Sequence, residues 1–204
     1  EKIDIKIILI ETISYYITVV MSENPEKGKV LISEPFLNDP NFKRTIILLT
    51  EHGEEGCIGF VLNKPTDYMI HQVIEEFPEF DSVVYYGGPV QLNTLQFIYK
   101  GDNIIDGSIE IMPGLYWGGS FDILKTLITS GAVSPDDFRF FLGYSGWTDG
   151  QIDDELEINS WIVASTTIDN IFSDEPDKLW RETLKGMGKK FAILASFPEN
   201  PSVN

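Results

Sequence analysis

The segment 44–65, RTIILLTEHGEEGCIGFVLNKP, constrains the fold more than any other stretch of the chain. Residues 45–50 and 58–62 are two apolar runs of strand length, rich in Ile, Leu, Val and Phe, the composition of strands buried on both faces. The connection 51–56 carries Gly53 and Gly56, which supply the positive φ of a turn. The stretch therefore reads as a buried hairpin that stops at a polar corner, Asn63-Lys64-Pro65. Beyond the corner, Thr66 is placed to cap a helix, with Ile70, Val73, Ile74 and Phe77 at helical spacing and Pro78 to end it.

The rest of the chain supplies material to pack on that hairpin. Strand patterns cover residues 29–33, 83–86, 95–99, 108–112, 115–117, 139–143 and 160–166. Helical patterns follow Ser120, which is placed as an N-cap, and fill 148–157 and the amphipathic stretch 176–186. Residues 191–195 are an apolar run compatible with helix or strand, and the tail bearing Pro198 and Pro201 reads as extended. Strands mixed with helices without regular alternation argue an α+β fold rather than a doubly wound sheet. With 204 residues and 43% hydrophobic side chains, one domain with a full core is expected. Residues 1–20 contain Glu1, Lys2, Asp4, Lys6 and Glu11, which interrupt any spanning helix. They read as an accessory extension to a domain spanning 21–204, or as residues upstream of the original start codon.

Charge and cysteine usage restrict function. Against 32 Asp+Glu stand 15 Lys+Arg, a formal net charge of -17. Such a field repels nucleic acid and anionic membranes, so direct binding to either is disfavoured, and the basic pairs Lys43-Arg44 and Lys189-Lys190 are short. One cysteine, Cys57, and two histidines, His52 and His71, are too few for a Cys/His zinc site, and a cytoplasmic setting fits the cysteine count. No metal and no cofactor is expected.

Each motif that suggests chemistry has a plainer reading beside it. Gly143-Tyr144-Ser145-Gly146-Trp147 approaches the G-x-S-x-G nucleophile elbow, but its second glycine comes one residue early, and a tight turn anchored by Trp147 is the plainer account. Ser145 would need His52 or His71 as its base. Gly87-Gly88-Pro89 and Gly118-Gly119-Ser120 lack the Lys-Ser/Thr of a phosphate loop and read as close-approach turns. Glu51-His52 can do acid–base work or simply hold the hairpin turn. Cys57 beside Glu54 and Glu55 reads as an inert buried thiol, and Asp153-Asp154-Glu155 as a solvated acidic face.

In order, the Glu51-His52 to Gly59 segment, Asn63-Lys64-Pro65, Gly87-Gly88-Pro89-Val90, Gly143 to Trp147, Gly150-Gln151 and Trp161 resemble the bacterial YqgE/AlgH family, UPF0301, over residues 28–190. The resemblance implies a mixed, strongly bent β-sheet forming a partial barrel with flanking helices, and no established enzymatic activity. Some members have a cysteine where this chain has Thr50, so no thiol role carries over to that position. The expected function is that of a non-enzymatic regulatory, interaction or ligand-binding protein with a protein or small-molecule partner. Its binding residues would be Glu51, His52, Asn63, Lys64, Gly87, Gly88, Ser145 and Trp147, gathered on one surface. The alternatives are a hydrolase using Ser145 and His52 or metal-bound carboxylates, and a transcriptional regulator by family label.

Overall fold

A computed structural model describes residues 23–198 of the chain. The readings made above for residues 1–20 and for the extreme C-terminal tail fall outside that range. Ten strands form one open, mixed sheet: β1 (Val30–Ser33), β2 (Ile46–Gly53), β3 (Gly56–Val61), β4 (Pro65–Met69), β5 (Val83–Tyr86), β6 (Val90–Lys100), β7 (Ile109–Met112), β8 (Leu115–Trp117), β9 (Phe138–Trp147) and β10 (Trp161–Ala164). Their order is β10-β1-β2-β3-β9-β6-β8-β7, with β5 beside β9 and β4 beside β5. Every pairing is antiparallel except β5 with β9. Among the described residues six helices flank the sheet: α1 (Ile70–Val73), α2 (Phe121–Thr129), α3 (Gln151–Glu157), α4 (Ile168–Ile171), α5 (Pro176–Gly186) and α6 (Lys189–Ala195). The α+β class is thus established, and the sheet does not close into a barrel.

Period-two alternation divides the buried residues between the faces. On one face of the hairpin half, Val30, Ile32, Ile46, Leu48, Phe60 and Ile162 pack with Leu179, Trp180 and Leu184 of α5 and Phe191 and Leu194 of α6. On the other, Leu31, Ile47, Leu49, Cys57, Val61 and Val163 pack with Trp147, Trp161 and Ile152 of α3. A third cluster sits on the β5–β6–β9 half, where Val84, Phe97, Tyr99, Phe138 and Phe140 meet Ile70 and the α2 residues Leu124 and Ile128. The expected Ser120 cap is present, its hydroxyl accepting from the Ile123 N–H.

Three local expectations are corrected. Thr66 begins no helix: its hydroxyl donates to the Val84 carbonyl at 2.7 Å and its backbone continues as β4, leaving one helical turn at 70–73. Tertiary pairing with β5 overrides the local 3.6 period here. Tyr144 to Trp147 is not a turn but the end of the ten-residue β9. His52 lies within β2, and only Glu54 and Glu55 form the hairpin turn. A bulge at Thr50, between the pairs Leu49–Gly59 and Glu51–Ile58, puts an extra residue in β2. Residues 191–195, open between helix and strand in the sequence, are helical.

β9 is the spine of the sheet, and it changes neighbours along its length. Phe140 to Leu142 pair with β5, and Ser145 to Trp147 pair with β3 on the same flank. Arg139, buried in the sheet, locks this region by donating to the Leu62 and Ser173 carbonyls, both at 3.0 Å. Its guanidinium lies 4.4 Å from the Tyr85 ring centre.

Candidate functional site

The residues picked out by the sequence fall into three places along β3 and β9. The first is the turn end of the hairpin. Cys57 pairs with Trp147 across β3 and β9, and Gly56 lies so close to the Trp147 carbonyl that a Cβ there would overlap it. A depression of about 360 Å³ opens at this end. Ile58, Val90 and Tyr144 give it an apolar, aromatic lining, Trp147 adds backbone beside Gly56 while its indole packs on the opposite face of the sheet, and Glu51 and Glu55 stand at the edge; no Lys, Arg or His is among its lining residues.

Trp147 is held in place by α3. The turn Thr148-Asp149-Gly150 enters the helix with Gly150 at φ 71°, and the Thr148 N–H donates to the Gln151 side chain. That register turns Glu155 inward while Asp153 and Asp154 stay exposed. One Glu155 oxygen accepts both indole protons, from Trp147 at 2.9 Å and Trp161 at 2.6 Å, and the other accepts from Gln151 at 2.9 Å. Glu155 is therefore a structural acceptor rather than part of a solvated acidic face. Its role was not legible because the two tryptophans are brought to it by different strands.

His52 is exposed, and its Nδ1 lies 2.7 Å from the buried Cys57 Sγ. Burial, with help from the Asp153 charge, pushes the Cys57 thiol up to about 11. The thiol keeps its proton at neutral pH, so this pair does not supply a thiolate nucleophile.

The second place is the seam where β9 passes from β5 to β3, and here Gly87, Gly88 and Ser145 meet. The Gly87 N–H donates to Leu142, and the Gly87 carbonyl accepts from Val61 N–H at 3.0 Å and from the Ser145 hydroxyl at 3.1 Å. A Cβ on Gly88, which has φ +149°, would overlap Tyr144 and Ser145 backbone atoms and the Ser145 hydroxyl. Ser145 is fully buried and its proton goes to a backbone carbonyl. The histidines are engaged elsewhere, His52 with Cys57 and His71 with the Phe80 backbone. A Ser–His hydrogen bond of the triad kind is not formed.

The third place is the opposite end of β3. Asn63 stands six residues beyond Cys57, roughly 20 Å along an extended strand. Its Oδ1 accepts from the Ile46 N–H and its Nδ2 donates to the Arg44 carbonyl, both at 2.9 Å. Lys64 donates to the Pro40 and Asn41 carbonyls at 3.0 and 2.7 Å, and burial pushes its ammonium pKa down, opposed by Asp39. A separate depression of about 330 Å³ opens here, and it shares no lining residue with the one at the hairpin turn. The eight residues expected to form one surface are thus split between two ends and a buried seam.

The architecture defined so far is an open α+β sheet with a β9 spine and a glycine seam. Comparison with known proteins places it: the family described as "DUF179: AlgH-like" matches residues 30–192, and the chain belongs to that family. A UPF0301 protein of Cytophaga hutchinsonii is 44% identical over 179 residues, covering 87% of this chain and 98% of the relative. A UPF0301 protein of Chlorobaculum tepidum is 41% identical over 177 residues, covering 87% and 95%. Among solved structures, AlgH from Pseudomonas aeruginosa superposes with a TM-score of 0.69 at 26% identity, covering 87% of this chain and 98% of that one. A Corynebacterium diphtheriae protein of 20% identity gives a TM-score of 0.74 over 88% and 96% of the two chains, a likeness of fold. Among the described residues no helix is long and apolar enough to cross a membrane.

Proposed function

We propose that this chain is a cytoplasmic, non-enzymatic interaction protein whose ligand site is the depression at the hairpin turn. One observation carries the reading: an aromatic and aliphatic lining of Ile58, Val90 and Tyr144 is edged by Glu51 and Glu55 with no lining cation. The group that fits such a site has an apolar body and a positive head, as a Lys or Arg side chain of a partner protein does. The Tyr144 ring and its aliphatic neighbours take the stem, and the carboxylates take the head.

Glu51 and Glu55 are exposed, so reversing their charge leaves the core intact. A pull-down from lysate with the wild-type chain, compared with Glu51→Lys plus Glu55→Lys, tests this. A basic-segment partner retained by the wild type and lost by the variant supports the site. Equal recovery by both would remove it.

A further inference from the structure

The chain carries 32 acidic and 15 basic side chains, yet five of the basic ones line a single depression. Lys43, Arg44, Lys64, Lys178 and Arg181 gather there, with Asp177 as the one acidic lining residue. In sequence they are dispersed over three segments. The fold joins them by setting the start of β2, the end of β3 and the exposed side of α5 around one hollow. Such a concentration of one sign against the net charge of the molecule is the reverse of what a solvated acidic surface produces.

The hollow is built rather than incidental. Arg44 has φ 51°, a left-handed conformation that a residue with a Cβ rarely adopts. The Asn63 side chain holds that conformation through its bonds to the Arg44 carbonyl and the Ile46 N–H. The arrangement sets the Arg44 guanidinium over the Trp180 ring at 4.8 Å, and Trp180 is anchored by its own indole bond to the Ser33 carbonyl. Lys64 is half-buried with two of its three ammonium protons fixed on backbone carbonyls, and no carboxylate within ion-pair distance of it among the described residues. A cation held in this way is already ordered before any anion arrives.

We propose that this depression is a binding site for a small phosphate-bearing ligand, with Lys43, Lys64 and Arg181 as its principal contacts. A phosphomonoester carries a charge of about -1.5 to -2 at neutral pH and three acceptor oxygens, enough to engage several cations at once. Arg181 supplies the forked donor that matches phosphate oxygens, and Lys64 the fixed point charge. The size of the hollow, about 330 Å³, suits one small molecule. A polynucleotide would have to run on across a surface whose net charge is -17, which opposes it. The site shares no residue with the hairpin-turn depression, so it stands or falls independently of the function proposed above.

Inorganic phosphate is the probe, titrated into 15N-labelled protein at constant ionic strength, with chloride as the matched control. The expected result is saturable amide shifts confined to residues 43–44, 63–64 and 177–181. Arg181→Glu, at an exposed position, is expected to weaken binding by about tenfold or more with an unchanged melting temperature. Lys64→Met is expected to weaken it similarly, and the charge reversals at Glu51 and Glu55 to leave it unchanged. Shifts that grow linearly and equally with chloride overturn the proposal, as does saturable binding that survives Arg181→Glu and Lys64→Met. Steeply salt-dependent binding of a single-stranded oligonucleotide at the same residues, with no response to phosphate, would assign the hollow to nucleic acid instead.

Discussion

Glu155→Ala is the substitution that probes the packing beneath the hairpin turn most deeply. In the native chain one Glu155 oxygen accepts the indole protons of Trp147 and Trp161, whose side chains are 5% and 1% exposed. Removing the carboxylate leaves two donors at nearly buried positions. A hydrogen bond to a charged group contributes about 1.5–3 kcal/mol, and an unpaired buried donor costs about 1–3 kcal/mol. Glu155 itself is only half-buried, so water entering the gap recovers part of the loss. A net cost of about 3 kcal/mol follows for the pair. For a chain of this size each kcal/mol lowers Tm by about 2–4 °C, which gives a fall of about 6–12 °C. Glu155→Gln retains an oxygen able to accept from both indoles and loses only the exposed contact with Gln151, at about 1 kcal/mol or less. Urea and thermal unfolding followed by tryptophan fluorescence and near-ultraviolet circular dichroism give both numbers. If the alanine variant lies within 0.5 kcal/mol of wild type, or the glutamine variant is as damaged as alanine, the buried-acceptor account of Glu155 is wrong.

Gly88→Ala places a methyl group into the backbone of β9 at the seam, and we expect loss of soluble folded protein, or destabilisation of about 4 kcal/mol or more on urea titration. Ser145→Ala removes one buried hydroxyl that donates to Gly87, so a cost of about 1–2 kcal/mol is expected, measured by the same unfolding curves. The raised Cys57 pKa means that the folded state favours the neutral thiol. Its contribution to stability is complete below the ordinary thiol value of 9.0 and is lost as pH rises through about 11; a Cys57→Ala variant should lack this component of the alkaline decline. For the same reason, alkylation of Cys57 by iodoacetamide at pH 8 should be slow in the native protein and fast in denaturant.

What the sequence disclosed follows physical lines. The hairpin was legible because its apolar runs need burial on both faces whatever surrounds them, and α5 because Leu179, Trp180 and Leu184 fall on one helical face. The Thr66 helix was misread because β4 takes its structure from pairing with β5, a partner 18 residues away at the Thr66–Val84 contact. The Tyr144 to Trp147 stretch was misread as a turn because its glycines look like breakers. In the fold they allow β9 to run on, Gly143 packing against the Gly88 and Val90 carbonyls. Glu51 and Trp147 do line one depression, and Asn63 and Lys64 line the other. Tyr144, Val90 and Glu55 of the first were not among the expected binding residues; of the second, the short basic pair Lys43-Arg44 was visible, but Lys178 and Arg181 were not singled out. Their meaning depends on which segments the sheet order brings together, and no local pattern encodes that. Gly87, Gly88 and Ser145 carried a genuine signal, but it was the signal of a tight backbone junction.

The central claim is that the hairpin-turn depression takes a positive head on an apolar stem. The most direct measurement is an amide-shift titration of the 15N-labelled chain with the acetylated peptide Leu-Arg-Leu at fixed ionic strength. Saturable shifts at Gly56, Ile58, Tyr144, Gly146 and Trp147, abolished by Glu51→Lys plus Glu55→Lys while the variant keeps its melting temperature, are the predicted result. Absence of shifts at those residues, or shifts that persist after the charge reversal, would contradict the account.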